Sequence, residues 1–428
     1  MTNCVVDVND FELRARIGDG EIASSPGYAC AVDGQVELGA RALAQAQLHP
    51  RTTENRFWRD LDTAPLTHFG KRVRHHADLV WLHLEHLRGL LGHVDGAVFA
   101  VPGSLSHEQL SLLLGVAPAA KLKPIALVDS AVAAGAAALG PGQWAHVDLQ
   151  QHQAVVTVLE VGAEIRRGTV EVLPGLGINA LRAACVRAVT RAFVAHCRFD
   201  PLHHAETEQL LYDQLARWIE LLARSPEINV QLTWRGGRFD TRLSRATIAE
   251  AATPLLARLR AALPASLMPV ASHRLAAQPG YAEVFGATPV LSPRAVFDAL
   301  RAPPPGAGNG IRLVTSMRAC ESPTILAPAQ PGAAAATHVL DHHLAFALSR
   351  APLYLLARGG CTRTPEPLAW CSIALGAHGA ELTTQDARVR VNGQAVVGRI
   401  PLAAGDQITF TGAAALFTMI AVQGADDA

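Results

Sequence analysis

Two aspartates, each beside a short apolar stretch, are the residues best placed to do chemistry. Asp7 ends the run "CVVD", and Asp148 precedes the turn that joins "AHVDL" to "AVVTVLEV". Such carboxylates can hold Mg²⁺ beside a phosphate, but a phosphate-binding turn favours glycine, because its backbone N–H groups must approach the anion closely. We therefore expect Asp148 to cap the turn or bond to the backbone. The turn itself is bulky and polar: Gln150, Gln151, His152, Gln153.

Histidines at helical spacing suggest a second chemistry. His83 and His86 stand three residues apart in "WLHLEHL", with His75 and His76 upstream. A zinc site needs several converging ligands, and the sequence offers no clear third one. We expect an exposed helix face here and no metal site. We also expect His152 to face solvent in its turn rather than act as a base, so no catalytic residue is assigned.

Composition argues against several classes of partner. Of the 428 residues, 37 are Lys or Arg, 37 are Asp or Glu, and only 5% are aromatic, so a nucleic-acid surface is not expected. The seven cysteines form no CxxC pair, and the N-terminus has acids where a secretory signal needs bases. No apolar run reaches the ~18–20 residues of a membrane span. These features predict a cytoplasmic protein without membrane insertion.

Hydrophobic periodicity predicts three segments. In residues 1–302, short apolar runs alternate with helical patterns, the longest at about 179–196, 205–224 and 245–263, which is typical of an α/β fold. Residues 303–336 are rich in Pro, Ala and Gly, which predicts a linker. In residues 337–424, short alternating stretches separated by turn residues predict a small all-β sandwich.

Six segments of the first 301 residues carry a family resemblance. They are "VELGARALAQAQLHPRTT", "AVFAVPGSLSHEQLSLLLGVA", "LVDSAVAAGAA", "LPGLGINALRAACVRAV", "DTRLSRATIAEAATPLLARL" and "GATPVLSPRAVFDAL". In this order they resemble the nucleotide-binding domain of the DnaK-type heat-shock chaperones, within the actin-like ATPase superfamily. The resemblance implies a two-lobed actin-like ATPase fold, with helices on both sides of each lobe's mixed sheet. It also implies ATP with Mg²⁺ as the ancestral ligand.

The segments that would hold the nucleotide depart from the family pattern. "DLGTT" is replaced by "DVNDF", "DLGGGTxD" by "DLQQHQAV", and the start of "VGGSSRIP" by "VASH". The family's catalytic lysine falls near Trp58, which we expect either to fill the vacated cleft or to pack at the periphery. The resemblance places these residues at the nucleotide: Asp7, Asn9, Asp10, Asp129, Asp148, Gln150, Gln151, Gly175, Gly177, Ala271 and Ser272.

Bulk in place of glycine argues against catalysis. A change from glycine to glutamine adds a Cβ and further heavy atoms to a close-packed site, which excludes a ligand rather than tuning it. We therefore expect a fold that has lost its ATPase activity, with no cofactor; ATP with Mg²⁺ would bind only if the site survives.

Four stretches near the C-terminus, "LLARGG", "LGAHGAEL", "VRVNGQ" and "PLAAGDQITF", carry a second resemblance. They resemble forkhead-associated domains, which are β-sandwiches that bind phosphothreonine. The resemblance implies Arg358, His378 and Asn392 as phosphopeptide-binding residues. Leu375 replaces the family's serine and removes one phosphate hydrogen bond, but Arg358 could still pair a phosphate through two hydrogen bonds.

Together these features predict a degenerate DnaK-like protein that is a non-catalytic scaffold or adaptor for partner proteins, phosphorylated ones included. Two alternatives stay open. One is a divergent ATPase that hydrolyses ATP with Asp7 and Asp148 around Mg²⁺. The other is an adaptor that recognises phosphopeptides through its C-terminal domain.

Overall fold

The chain is a mixed α/β protein with several sheets. A computed structural model describes residues 2–66, 68–69, 73–302, 311–320, 323–325, 336–341, 344–366, 369–376, 379–392, 394–402, 404–413 and 415–420. The chain divides into two compact units, Met1–Glu321 and Ser322–Ala428. Each unit is described by itself below.

The first unit combines strands and helices. Its strands are β1 (Asn3–Asp7), β2 (Glu12–Ile17), β3 (Ala23–Pro26), β4 (Ala29–Val32), β5 (Gln35–Leu38), β6 (Thr53–Glu54), β7 (Gly96–Val101), β8 (Pro124–Asp129), β9 (Gly142–Leu149), β10 (Gln153–Val161), β11 (Glu164–Pro174), β12 (Glu227–Trp234), β13 (Gly237–Ser244), β14 (Met268–Ala271), β15 (Leu313–Val314) and β16 (Ser316–Arg318). Its helices are α1 (Ala40–Leu43), α2 (His76–Leu91), α3 (His107–Val116), α4 (Ser130–Ala136), α5 (Ile178–Cys197), α6 (Ala205–Arg224), α7 (Arg245–Ala261), α8 (His273–Ala276), α9 (Tyr281–Phe285) and α10 (Ala295–Ala299).

The first sheet of this unit is built around β1. Its strand order is β15–β8–β7–β1–β2–β3, with β1, β2 and β3 antiparallel in succession and β7 and β8 parallel to β1. All six residues of β7 are buried, as expected for a parallel strand covered on both faces. A capping box between Ser106 and Gln109 starts α3, the helix that connects β7 to β8.

The second sheet repeats the strand arrangement of the first. Its order is β14–β9–β10–β11–β16, with β9, β10 and β11 antiparallel in succession and β14 parallel to β9. A parallel bridge from Ala271 to Val290 continues the sheet beyond β14. Each sheet has its own large hydrophobic core. We call residues 2–141 the first half and residues 142–291 the second half.

The long helical patterns of the sequence are confirmed. Helices α5, α6 and α7 begin and end within two residues of the predicted ranges. In α6, leucines and Trp218 share the buried face, while most of the charged residues are exposed.

Part of the predicted linker is regular structure. Leu313 and Val314 pair in parallel with β8, and Ser316–Arg318 pairs antiparallel with β11. The expectation of a linker over 303–336 is therefore wrong at residues 313–318. These residues pair with part of the otherwise free edges of β8 and β11.

The described residues of the second unit form two antiparallel sheets. The strands are β17 (His338–Asp341), β18 (Leu344–Ala347), β19 (Leu353–Leu356), β20 (Cys361–Thr362), β21 (Ala369–Gly376), β22 (Gly379–Thr384), β23 (Val389–Val391), β24 (Gln394–Ala395), β25 (Gly398–Leu402), β26 (Gln407–Phe410) and β27 (Leu416–Ile420). One sheet has the order β18–β17–β27–β26–β23–β24, and the other β20–β19–β21–β22–β25. Residues of both sheets share one hydrophobic core.

Candidate functional site

The two aspartates singled out in the sequence are bridged by an arginine. Arg274, in α8, places Nη2 2.8 Å from Oδ2 of Asp7 and Nη1 3.3 Å from Oδ2 of Asp148. Asp7 ends β1 in the first half, and Asp148 lies in β9 of the second half. Asp7 and Arg274 are buried, and Asp148 is half-buried. We call this group the Arg274 bridge.

Electrostatics raise the pKa of Arg274 and lower that of Asp148. Burial acts to lower the pKa of Arg274, but the carboxylates of Asp7 and Asp148 outweigh it, and the pKa is raised. Burial acts to raise the pKa of Asp148, but Arg274 and then His146 hold it below its usual value. A buried cation between two carboxylates is stabilised by both, whereas either partner left alone would be costly to bury.

A second arginine lies beside the bridge. Nη1 of Arg14, in β2, is 3.7 Å from Oδ2 of Asp7 and forms a hydrogen bond at 3.1 Å with Nε2 of His273. Burial lowers the pKa of Arg14. Burial and the two neighbouring arginines lower the pKa of His273 to about 4, so that this imidazole is neutral at physiological pH.

The residues after β1 bond to the second half. Nδ2 of Asn9 donates to Oδ2 of Asp148 at 3.0 Å and to the carbonyl of Leu149 at 3.1 Å. Oδ1 of Asp10 accepts the backbone N–H of Gln151 at 2.6 Å. Burial nevertheless raises the pKa of Asp10 to about 7. The segment "DVNDF" thus connects the first half to the end of β9 and the following turn through hydrogen bonds.

The turn after β9 is held by its own side chains. Oε1 of Gln150 accepts from Nε2 of Gln153 at 2.6 Å, and Nε2 of Gln150 donates to Oγ of Ser104 at 3.1 Å. The amide of Gln151 is buried, and neither of its polar atoms has a partner within the described ranges. We expected the carboxylate of Asp148 to cap the turn or to bond to the backbone. The carboxylate that accepts a backbone N–H of the turn is instead that of Asp10.

Backbone groups of the same turn start α5. The carbonyls of Gln150 and Gln151 each accept an N–H, from Ile178 and Asn179, at 2.9 Å. A Cβ on Gly177 would overlap the backbone of the turn, so this glycine is required by close approach. Gly175 has a φ of 74° and donates its N–H to the carbonyl of His152 at 2.9 Å. Both glycines serve packing between the turn and the helix.

The remaining candidate residues have structural partners. Oδ1 of Asp129 accepts the N–H groups of Ala131 and Val132 and caps α4, while Oδ2 pairs with Arg167 at 2.9 Å. Ala271 belongs to β14. The side chain of Ser272 caps α8. Ala271 and Ser272 position Arg274 through α8, whereas Asp129 takes no part in the Arg274 bridge.

The histidine expectations were partly wrong. His83 is fully buried; its Nδ1 accepts the indole N–H of Trp58 at 2.9 Å, and its Nε2 lies 2.8 Å from Oγ of Ser25. Burial, with a contribution from His86, lowers its pKa to about 3. His83 is therefore a core residue rather than part of an exposed face. Its burial is tolerated because Trp58 and Ser25 provide hydrogen-bond partners for both ring nitrogens. Trp58 packs in the core of the first half.

His152 does not face open solvent. It is half-buried, and its Nε2 lies 3.0 Å from Oδ1 of Asn55, which belongs to the first half. Burial, together with the nearby charges of Arg56 and Arg59, lowers its pKa to about 4. The side chain thus joins the two halves as a neutral imidazole.

Arg14 and Arg274 were missed by the sequence reasoning, whereas His273 lies in the third altered loop that it identified. The alignment of the altered loop, "VASH", stops one residue before Arg274. One feature of the sequence could have indicated Arg274. Asp7 and Asp148 are retained, whereas the residues that accompany them in the family's nucleotide-binding loops are replaced. A basic residue in the third altered loop would then have been the natural counter-charge.

An open cavity of about 730 Å³ lies next to the Arg274 bridge. Residues of both halves line it, from Phe11 and Glu12 on one side to α5, α6 and α8 on the other. Within the described residues, no group of three His, Cys, Asp or Glu side chains is arranged to hold a metal ion.

The residues predicted to bind a phosphopeptide differ in the contacts that they make within the second unit. Arg358 is 68% exposed in its side chain, and among the described residues its one ion pair is with Glu366, at 3.8 Å. Asn392, with a φ of 51°, donates to Oδ1 of Asp406 at 2.8 Å and accepts the N–H of Gln407 at 2.8 Å. His378 lies outside the described residues. The amide of Asn392 therefore links the turn after β23 to the start of β26.

Comparison of the sequence with protein-family models found no match, and a search of curated proteins found none either. In the described part of the chain, no helix has the length and apolar character required to cross a bilayer.

Proposed function

We propose that this chain is a degenerate actin-like protein of the DnaK type that works as a non-catalytic scaffold for partner proteins. The repeated strand order of the two sheets supports the two-lobed part of this proposal, because such a fold places one sheet in each lobe. The six ordered motifs between residues 3 and 301 support the family assignment.

The Arg274 bridge is the observation that carries the proposal. Asp7 and Asp148 are the carboxylates that would be offered to Mg²⁺, and a guanidinium lies within 2.8 and 3.3 Å of them. A divalent cation at the same oxygens would face a fixed positive charge at close range in a poorly screened site. The residues present therefore do not fit a magnesium–nucleotide complex.

The backbone donors of the site also argue against a triphosphate. The N–H of Gln151 is bonded to Asp10, and the N–H groups of Ile178 and Asn179 are bonded to carbonyls of the turn. Helix N-termini and glycine turns bind phosphate through N–H groups that are free to do so. These N–H groups are already used within the protein.

The contacts between the halves favour a rigid body over a moving one. Besides the Arg274 bridge, the halves are joined by Asn9 to Asp148, Asp10 to Gln151 and His152 to Asn55. An ATPase of this architecture would have to open and close around its ligand. A scaffold needs only to present a fixed surface, which these contacts supply.

Isothermal titration with ATP and Mg²⁺ tests the proposal directly. The wild-type protein should give no binding heat, and Arg274→Ala is the matched variant in which the guanidinium is absent. Micromolar binding with turnover by the wild type would end the scaffold proposal and favour the divergent ATPase. Limited proteolysis with and without ATP provides a second measurement, since closure of the halves would change the cleavage pattern.

A further inference from the structure

The cavity between the halves contains a half-buried cation that has no hydrogen-bonding partner among the described residues. Arg182, in α5, stacks over the ring of Phe11 with its guanidinium carbon 4.9 Å from the ring centroid. Within the described ranges, its guanidinium makes no hydrogen bond or ion pair. Burial lowers the pKa of Arg182, although Tyr28, Tyr212 and Glu12 act to raise it. Five unused N–H donors of fixed geometry thus face a cavity large enough for a ligand.

The same cavity contains a carboxylate that forms no ion pair within the described residues, although Arg14 and Arg274 interact with it electrostatically at longer range. Glu12 is half-buried at the start of β2, and within the described residues its carboxylate has no hydrogen bond or ion pair. It is near enough to raise the pKa of Arg182, yet the two side chains do not form an ion pair with each other. Opposite charges held apart in one cavity are suited to a ligand that carries both signs.

The other charged groups of the cavity are already compensated or solvated. Arg274 is neutralised by Asp7 and Asp148, and His273, with a pKa of about 4, is uncharged at neutral pH. Asp213 and Glu220 are exposed to solvent. A polyanion gains little here because acids outnumber free cations. The carboxylate of a zwitterion would meet Arg182, and its ammonium would meet Glu12.

Apolar side chains supply a wall for the remainder of such a ligand. Leu43 lines the side of the first half, and Leu215 and Ile219 of α6 line the other, with Tyr28 and Tyr212 adding aromatic faces. Ligand sites commonly pair an apolar wall with a few polar groups that set orientation. The ligand class that fits is therefore an apolar body that bears both a carboxylate and an ammonium.

We propose that this cavity binds a zwitterionic amino acid or short peptide, with its carboxylate on Arg182 and its ammonium on Glu12. The proposal goes beyond the scaffold function and does not rest on it, since a scaffold could carry such a site or lack it.

The test measures the binding of four probes to the full chain by ligand-observed NMR. L-phenylalanine carries both charges, 3-phenylpropionate lacks the ammonium, phenethylamine lacks the carboxylate, and the dipeptide Phe-Leu spaces the charges further apart. We expect one zwitterion to bind with a Kd of about 1 mM or lower, and each singly charged analogue to bind at least about tenfold more weakly. Tighter binding of L-phenylalanine would indicate a free amino acid as the ligand, and tighter binding of Phe-Leu would indicate a peptide.

Variants assign each charge to its residue. In Arg182→Gln, the preferred zwitterion should lose at least about tenfold in affinity, and phenethylamine should then bind as well as L-phenylalanine. In Glu12→Gln, 3-phenylpropionate should bind as well as L-phenylalanine. Arg187→Gln, on an exposed site of the same helix, and Glu171→Gln, exposed on β11, are the matched controls.

Two results would overturn the proposal. One is no binding of either zwitterion to the wild-type protein at about 10 mM, roughly tenfold above the expected Kd. The other is binding that Arg182→Gln and Glu12→Gln leave unchanged. Circular dichroism of each variant separates a lost site from a lost fold.

Discussion

The carboxylate of Asp10 accepts the backbone N–H of Gln151 at 2.6 Å across the two halves of the first unit. This hydrogen bond favours the ionised form, yet burial dominates and raises the pKa of Asp10 to about 7. A bond that joins two halves is thus made by a carboxyl group that titrates near physiological pH.

Asp10 should make the protein less stable as the pH rises. Its pKa is higher in the folded chain than the usual 3.8, so the folded state holds a proton that the unfolded state has released. The free energy of unfolding should fall between about pH 4 and pH 7, by an amount on the order of 3 kcal/mol. Asp10→Asn keeps the acceptor oxygen and should remove this slope.

The measurement for Asp10 is urea unfolding at pH 5 and pH 8 for the wild type and Asp10→Asn. The variant should gain stability relative to the wild type at pH 8 and not at pH 5. Asp33→Asn, at an exposed turn, serves as the control. Parallel pH profiles for the wild type and Asp10→Asn would refute the assignment.

Removal of Arg274 should leave two carboxylates without their cation. We expect Arg274→Met to lower the free energy of unfolding by about 3–5 kcal/mol, and further replacement of Asp7 and Asp148 by Asn to restore much of it. Arg301→Met, at an exposed ion pair, should cost less than about 1 kcal/mol. Equal losses for the two arginine variants in urea unfolding would contradict the role of the bridge.

The Arg274 bridge also has a pH signature of the opposite sign to that of Asp10. The pKa of Asp148 is held below its usual value in the folded chain. Its contribution to stability is therefore present above about pH 4 and is lost on further acidification. In Arg274→Met this acid sensitivity should disappear.

His83 should matter for stability although it does no chemistry. His83→Phe leaves the indole N–H of Trp58 and the hydroxyl of Ser25 without their partner, and we expect a loss of about 2–4 kcal/mol. Trp58 fluorescence should also change. His93→Phe, at a side chain that is 84% exposed, should have little effect on urea unfolding. A similar small effect of His83→Phe would show that the buried network is dispensable.

The second unit allows a test of structural against binding roles. Asn392→Ala removes two hydrogen bonds and a residue type that tolerates a φ of 51°, so we expect a loss of about 1–3 kcal/mol. Arg358→Ala should leave stability within about 0.5 kcal/mol, because the side chain is mostly exposed.

The Arg358→Ala variant also tests phosphopeptide recognition. Binding of a phosphothreonine peptide by the wild type, together with its loss in Arg358→Ala, would favour the phosphopeptide adaptor. Equal signals from both proteins would remove Arg358 from consideration as a phosphate ligand.

The elements of the fold follow from local patterns, and the sequence predicts them well. The long helices are recognisable because burial of one face imposes a helical period on the apolar residues. The strands at 313–318 were missed because two- and three-residue pairings carry no periodic signal.

The site could be predicted only in part. In the first unit, hydrogen bonds and ion pairs bring together Asp7, Asn9, Asp10, Asp148 and the glutamine turn. No local pattern predicts Arg274, because its partners lie 267 and 126 residues away in sequence; the surviving aspartates were the one indirect signal. The burial of His83 could not be predicted either, because helical spacing alone does not show which side chains of other elements pack against it in the core.

The short strands β15 and β16 have a practical consequence for anyone who truncates this protein. They pair with part of the edge of β8 in one sheet and of β11 in the other. A fragment that stops at residue 302 would expose both edges, and uncovered edges recruit neighbouring chains into aggregates. A soluble fragment of the first unit should therefore extend past Arg318.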